Sequence, residues 1–208
     1  MKNYKTDQEN FWNGEFGNEY INRNKSDQLI SASTKMFADI LSKCVNVNSV
    51  IEFGANVGLN ISALRILLPD ANLSAVEINS KAVVELKKSN QLKKIFNGSI
   101  IDYNSNELHD LVLVKGVLIH IARERLHEVY CKIYQASKRY ILLAEYYNPT
   151  PVEISYRGHS NKLCKRDFAG EMLDLFNDLH VIDYGFVWHR DCHFPQDDAT
   201  WFLLEKRV

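Results

Sequence analysis

From Ser49 to the carboxyl end the chain alternates short apolar runs with helix-length amphipathic segments, and this alternation constrains the fold more than any other feature. Each run is long enough for one strand and each amphipathic segment for one crossover helix, the pattern of βαβ units around a mainly parallel sheet. The expected strands are Ser49–Phe53, Asn72–Glu77, Lys94–Asn97, Asp110–Lys115, Tyr140–Glu145, Leu179–Val187 and Thr200–Lys206. Helices are expected over Asn60–Leu68, Ser80–Asn90, Arg123–Ser137 and Arg166–Asn177, where apolar residues recur at helical spacing opposite charged ones. With 208 residues, 46% of them hydrophobic, the chain can bury one sizeable core and is short for two. The expectation is a single α/β domain over 1–208 with a doubly wound, seven-stranded sheet.

Two segments stand apart from the alternation. Within residues 1–45, Asp27–Val45 carries Leu29, Ile30, Met36, Phe37, Ile40 and Leu41 at helical spacing, while Gln8–Asn24 is rich in Asn, Gly and aromatics, a composition that suits a cap over a pocket. Within the core, 46–208, the polar stretch Tyr146–Lys165 contains Pro149, Pro151, Gly158 and His159 and reads as an unusually long connection after the fifth strand. Such connections at the carboxyl edge of a parallel sheet commonly carry function.

A net charge of −1 excludes the bulk positive field that drives binding to nucleic acid or to an anionic membrane, and favours a small-molecule partner. Cys44, Cys131, Cys164 and Cys192 form no CxxC, so they read as reduced thiols rather than a zinc ribbon or redox pair. The amino terminus lacks an apolar signal core, and no run approaches the roughly 20 apolar residues that span a bilayer. A cytoplasmic protein is expected.

The densest chemistry lies in Val50–Asn60, VIEFGANVGLN, where a strand delivers Glu52 into a glycine-bearing turn, Gly54-Ala55-Asn56, and a helix opens after Gly58. Glycines there let a ligand lie against backbone, and Asn56 is one of the few other residue types that tolerates positive φ. The helix amino end adds unpaired N–H groups for an anion. Ala75–Asn79, AVEIN, ends a second strand with Glu77, either a solvated helix-start acid or an acceptor pair for two ribose hydroxyls, followed by Ile78. In the dinucleotide frame G-x-G-x-x-G only Gly54 matches, which argues against a nicotinamide-dependent oxidoreductase. The stretch instead resembles class I S-adenosylmethionine-dependent methyltransferases, whose first motif is an acid, any residue, then G-x-G-x-G; Glu52, Gly54 and Gly58 match and Asn56 departs. The resemblance implies the Rossmann-like class I methyltransferase fold, with the last strand inserted antiparallel beside the fifth, S-adenosyl-L-methionine as cofactor and S-adenosyl-L-homocysteine as product, and Glu77 as ribose anchor. It also brings Ser99 and Ile100 to the adenine, Ser99 standing where the family often has Asp; the alternative for these two residues is a plain strand-to-loop turn. Lys115, Gly116 and His120, at the end of DLVLVKGVLIHI, fall at the cofactor border. Lys115 is either a donor to the cofactor or a strand end reaching solvent. His120 is either a proton acceptor or a capping, packing residue.

Methyl transfer needs alignment and at most one proton acceptor. Candidates for these roles come from the two segments outside the alternation. Phe11, Trp12, Phe16 and Tyr20 offer flat apolar surface and Arg23 a partner for the cofactor carboxylate, in a lid or in an extension stapled to the sheet's helices. In EYYNPTPVEISYRGHSNKLCKRDF, the residues Glu145, Tyr146, Tyr156, Arg157, His159 and Lys162 suit a polyhydroxylated or anionic substrate. His159, Cys164, His189, Cys192 and His193 do not have a metal-ligand spacing, so no metal is expected.

QENFWNGEFGNEYINRN together with EYYNPTPVEISYRGHSNKLCKRDFAGEMLD is similar to the small methyltransferase family associated with pseudaminic acid biosynthesis. That resemblance covers nearly the whole chain and implies a nonulosonic-acid-type sugar, its precursor or a related glycan intermediate as acceptor. His120 and His159 are the candidate bases for transfer to oxygen or nitrogen. A non-catalytic module that binds S-adenosylmethionine stands as the alternative.

Overall fold

The computed structural model describes residues 4–23, 26–89, 92–104 and 106–207. Asn24 and Asn90, within two of the expected segments, lie outside them. Five strands, β1 (Ser49–Phe53), β2 (Asn72–Glu77), β3 (Lys94–Asn97), β4 (His109–Lys115) and β5 (Ser137–Glu145), pair in parallel. After α3 (Asp27–Leu41) has entered, crossover helix α4 (Leu59–Leu67) joins β1 to β2, α5 (Ser80–Ser89) joins β2 to β3, and α6 (Leu126–Ala136) joins β4 to β5. The last pair, β8 (Leu179–Val187) and β9 (Ala199–Lys206), completes a seven-stranded sheet in the order β3-β2-β1-β4-β5-β9-β8. As expected, β9 lies antiparallel beside β5, pairing Tyr140 with Glu205 and Glu145 with Thr200.

The central strands are apolar on both faces because both faces are covered. Val50, Leu73, Leu111, Leu113, Leu142 and Leu203 meet Phe37 and Ile40 of α3, Leu64 of α4 and Leu86 of α5. On the opposite face Ile51, Val76, Val112, Val114, Ile141 and Leu143 meet Val129 and Ile133 of α6 and Met172 of α7 (Phe168–Leu175). Burying each such side chain is worth about 1.5–3 kcal/mol, so this doubly wound core is the rigid frame from which the strand ends project.

Two segments are more ordered than their composition suggests. Residues at the amino end form α1 (Asp7–Asn13) and α2 (Glu15–Arg23), and α1 is started by a capping box in which Thr6 and Glu9 satisfy each other's backbone N–H groups. The stretch read as a long connection is a hairpin, β6 (Val152–Tyr156) and β7 (His159–Lys165). The missed signal is local: Val152, Ile154 and Tyr156 alternate with polar residues, and Arg157-Gly158 both take positive φ, 51° and 85°, as a primed hairpin turn requires. All four cysteines are free, and no helix among the described residues is long and apolar enough to cross a membrane.

Candidate cofactor and acceptor site

The site begins where β1 and β2 end side by side. Gly54 (φ +78°), Asn56 (φ 49°) and Gly58 (φ 86°) each take the left-handed conformation, so Asn56 does replace a glycine in the way its side chain permits. At Gly54 a Cβ would run into the side chain of Val117. The turn's amides are aimed across to the next strand: Gly54 N and Ala55 N donate to Val76 O at 2.8 and 3.2 Å, and Asn56 N donates to Glu77 Oε2 at 2.7 Å. The other oxygen, Glu77 Oε1, accepts from Asn79 N at 2.6 Å. Burial raises the Glu77 pKa and these backbone bonds oppose the rise. Each carboxylate oxygen has two acceptor positions, so Glu77 retains capacity for a vicinal diol after both backbone bonds are made.

Glu52 sits behind the turn rather than on its open side. Its Oε1 accepts from Asn60 Nδ2 at 2.7 Å, Asn60 Oδ1 accepts from Lys115 Nζ at 3.4 Å and from Ser33 Oγ at 3.1 Å, and Glu52 Oε2 has no partner. Burial pushes the Glu52 carboxyl up to about 7, against Asn60 and Lys115, and pushes the Lys115 pKa down against Glu52, Asp197 and Glu145. Glu52 thus braces the first turn of α4 and the loop from beneath. That helix has no side-chain cap at Gly58, leaving its N–H groups free to face an anion.

Above the strand ends lies a cavity of about 430 Å³, in the size range of small-molecule sites. Its wall includes Trp12, Tyr20, Gly54, Ala55, Asn56, Glu77, Ile78, Ser99, Ile100, Lys115, Gly116, His120, Tyr146, Tyr156 and Arg157, so most of the residues singled out from sequence converge on one space. Glu52, Gly58, His159 and Lys162 do not line it, and the side chain of Arg23 lies outside the described residues. Ser99 is buried, and its Oγ accepts from Ile101 N at 3.1 Å, capping the short turn Ile100–Asp102.

The roof is held by a residue that sequence reasoning passed over. Asn79 is buried; its Oδ1 caps α5 through Lys81 N and Ala82 N at 2.9 and 3.1 Å, while its Nδ2 donates to Trp12 O and Asn18 Oδ1, both at 3.1 Å. Gly17 permits this docking, because a Cβ there would collide with the Trp12 carbonyl and press on Asn79 Nδ2. Trp12 in turn lies over His120 at 4.6 Å between ring centroids, and Tyr156 lies beside it at 4.9 Å.

His120 Nδ1 is 2.6 Å from Lys162 O, and since a carbonyl only accepts, Nδ1 carries the proton and Nε2 holds a lone pair. Burial pushes His120 down to about 4, with the Lys162 carbonyl opposing, so the ring is neutral at pH 7. His159 takes a different place from the one expected. Its ring packs on Phe11 and Phe16 at 5.0 and 5.7 Å, outside the cavity, and Lys162 Nζ lies over Phe11 at 5.3 Å. Asn161 (φ 56°) breaks the alternation of β7, so His159 and Lys162, on either side of it, both reach Phe11. These two residues clasp the hairpin to the cap and do not line the cavity. Glu145 is also internal: it accepts from Val117 N and Leu118 N at 2.9 and 3.0 Å, fixing the turn after β4, and burial pushes its carboxyl up to about 7.

The far wall comes from Gln196 and Asp197, in the loop between β8 and β9, which no motif marks. Burial raises the Tyr146 phenol pKa, and so does Asp197, which accepts its hydroxyl proton in a hydrogen bond. Among the described residues no group of three or more His, Cys, Asp or Glu is placed to hold a metal ion.

Compared with known proteins, the chain matches no family model and no curated sequence. Its structure does match solved ones. A S-adenosylmethionine-dependent methyltransferase of Leishmania major aligns with a TM-score of 0.72 at 14% identity, covering 96% of this chain and 87% of that one. The magnesium protoporphyrin IX methyltransferase of Synechocystis, with bound S-adenosylhomocysteine, aligns with a TM-score of 0.67 at 13% identity over 97% of this chain and 100% of that one. The N-methyltransferase NodS of Bradyrhizobium japonicum, also with S-adenosylhomocysteine, gives 0.66 at 13% identity over 91% and 98%. Strand order, the antiparallel last strand and these matches together identify the fold as that of the class I methyltransferases.

Proposed function

We propose that this chain is a S-adenosylmethionine-dependent methyltransferase acting on an oxygen or nitrogen of a small polar molecule. The observation that carries the reading is the bond from Asn56 N to Glu77 Oε2, which joins the left-handed glycine turn and the ribose-type acid at one cavity wall. The residues present fit a nucleoside cofactor on their own chemistry: Gly116 leaves open space beside its backbone, Glu77 retains acceptor capacity, and α4 starts without a side-chain cap and so carries a partial positive charge. Bound there, S-adenosylmethionine would supply an electrophilic methyl group on a sulfonium.

The chain's own residues then orient and exclude water. Trp12, Tyr20 and Tyr156 close the cavity, and His120 is held neutral in one tautomer by Lys162 O, with Nε2 able to take a proton from an acceptor hydroxyl or amine. A sugar of the nonulosonic-acid type, its precursor or a related glycan intermediate is the acceptor we propose from the sequence resemblance, with Tyr146, Tyr156 and Arg157 as its polar and aromatic contacts on the cavity wall. Calorimetric titration with S-adenosylmethionine and S-adenosylhomocysteine tests the central claim. Saturable binding of both is expected, and no heat from either at millimolar concentration would sink it.

A further inference from the structure

Near Glu77 the cavity is lined by Ile78, Ile100 and Ile101, apolar surface suited to the flat base of a nucleoside. The start of α1 is tied over this end by two contacts. Tyr4 OH donates to Ile78 O at 3.4 Å, and Lys5 Nζ pairs with Asp102 Oδ1 at 2.6 Å. Between them, on the cavity wall, stands Glu9, a side chain only 6% exposed.

The two oxygens of Glu9 are used unequally. Oε2 accepts from Lys5 N and Thr6 N, both at 2.8 Å, and from Thr6 Oγ1 at 3.1 Å, completing the capping box. Oε1 has no hydrogen-bond partner. A buried acceptor left unpaired is costly, so its persistence beside a cavity calls for a donor that arrives with the ligand. Ser99, the nearest polar group in the sequence motif, already spends its Oγ on Ile101 N. We infer that Glu9 recognises the exocyclic amine of the cofactor's adenine, the cap supplying through Oε1 the carboxylate acceptor that Ser99, after the third strand, does not. This inference rests on the reading of the cavity as an adenosyl-cofactor site and names the residue that selects the base.

Replacing the adenine amine by the oxo group of hypoxanthine turns that donor into an acceptor, which gives a direct test. The probes are S-adenosylhomocysteine and S-inosylhomocysteine, titrated calorimetrically into the wild type, Glu9→Gln and Thr6→Ala. The wild type is expected to prefer the adenosyl ligand by about tenfold or more. Glutamine keeps an acceptor for the capping box and puts NH₂ in place of Oε1, so Glu9→Gln should lose or invert the preference. Thr6→Ala weakens the cap without touching Oε1, so its preference should persist whatever happens to absolute affinity. An unaltered preference in Glu9→Gln, or equal losses for both ligands there, overturns the inference and leaves Glu9 a capping residue. Failure of the wild type to bind either ligand overturns the cofactor reading itself, and the base-selection inference with it.

Discussion

The two ends of the cavity are built by different means. The end assigned to the cofactor is made of strand termini that lie next to each other in the parallel sheet, and its contacts are mostly backbone: Gly54, Ala55, Asn56 and Asn79 all place N–H groups against Val76 O or the Glu77 carboxylate. The end assigned to the acceptor is assembled from the α1–α2 cap, the β6–β7 hairpin and the β8–β9 loop, the cap held to the hairpin by rings and a single side-chain bond and the loop held by Gln196 to Ala32 O of α3. The difference teaches that the first end is inherited from sheet geometry, which fixes register, whereas the second depends on three peripheral pieces closing together. Such pieces are the natural place for a fold to vary its substrate.

The largest effect expected at the acceptor end separates two histidines. His120→Ala should lower incorporation of labelled methyl into the wild-type acceptor fraction by about 10²–10⁴-fold, with S-adenosylhomocysteine affinity little changed. His159→Ala, which removes only a ring contact with Phe11 and Phe16, should leave labelling nearly intact. The reverse ranking would dissolve the distinction between wall and clasp.

At the other end, Glu77→Ala removes the partner of Asn56 N and Asn79 N together with the proposed ribose contact, and should weaken S-adenosylhomocysteine binding by roughly 1–3 kcal/mol. Unchanged affinity in a folded variant would reject Glu77 as the anchor.

Gly17→Ala probes the seam between the two ends. The added methyl group meets the Trp12 carbonyl and Asn79 Nδ2, so the cap should lift at a cost of about 1–3 kcal/mol while the sheet stays folded. Faster proteolytic cleavage within residues 4–23, with the thermal midpoint of the core retained, is the expected record; a shared loss of both would mean that cap and sheet form one cooperative unit.

The smallest effect concerns the brace beneath the turn. Glu52 has its folded pKa raised to about 7 from an ordinary value of 4.5, so its contribution to stability is fully present below pH 4.5 and is lost as pH rises through 7. Thermal unfolding of Glu52→Gln should therefore depend less on pH between 5 and 8 than that of the wild type, by an amount on the order of 1 kcal/mol across the interval. Parallel pH profiles would show that Glu52 does not titrate in this window.

Much of the cofactor end was legible before folding. Short apolar runs marked the seven strands and period-3.6 hydrophobicity the crossover helices, and an acid followed by a left-handed turn is a local signal because φ is a property of single residues such as Asn56. The helix starts were less visible: the Thr6–Glu9 capping box sat unread in a segment taken for a plain cap, and β5 begins at Ser137 rather than Tyr140, because the strand runs straight on from α6.

What the sequence by itself determined is the class of fold and the succession of strands and helices along the chain, since these follow from short-range periodicity and backbone freedom. Only the tertiary structure decided which histidine faces the cavity, that Glu52 and Glu145 brace loops, that Asn79 fastens the roof, and that Glu9 and Asp197 stand on its walls. Each of those outcomes depends on segments far apart in the chain: Asn79 meets Trp12, and His120 meets Lys162. The free energy of such contacts is set by burial and geometry after the sheet has formed, and no local spacing of residues encodes it.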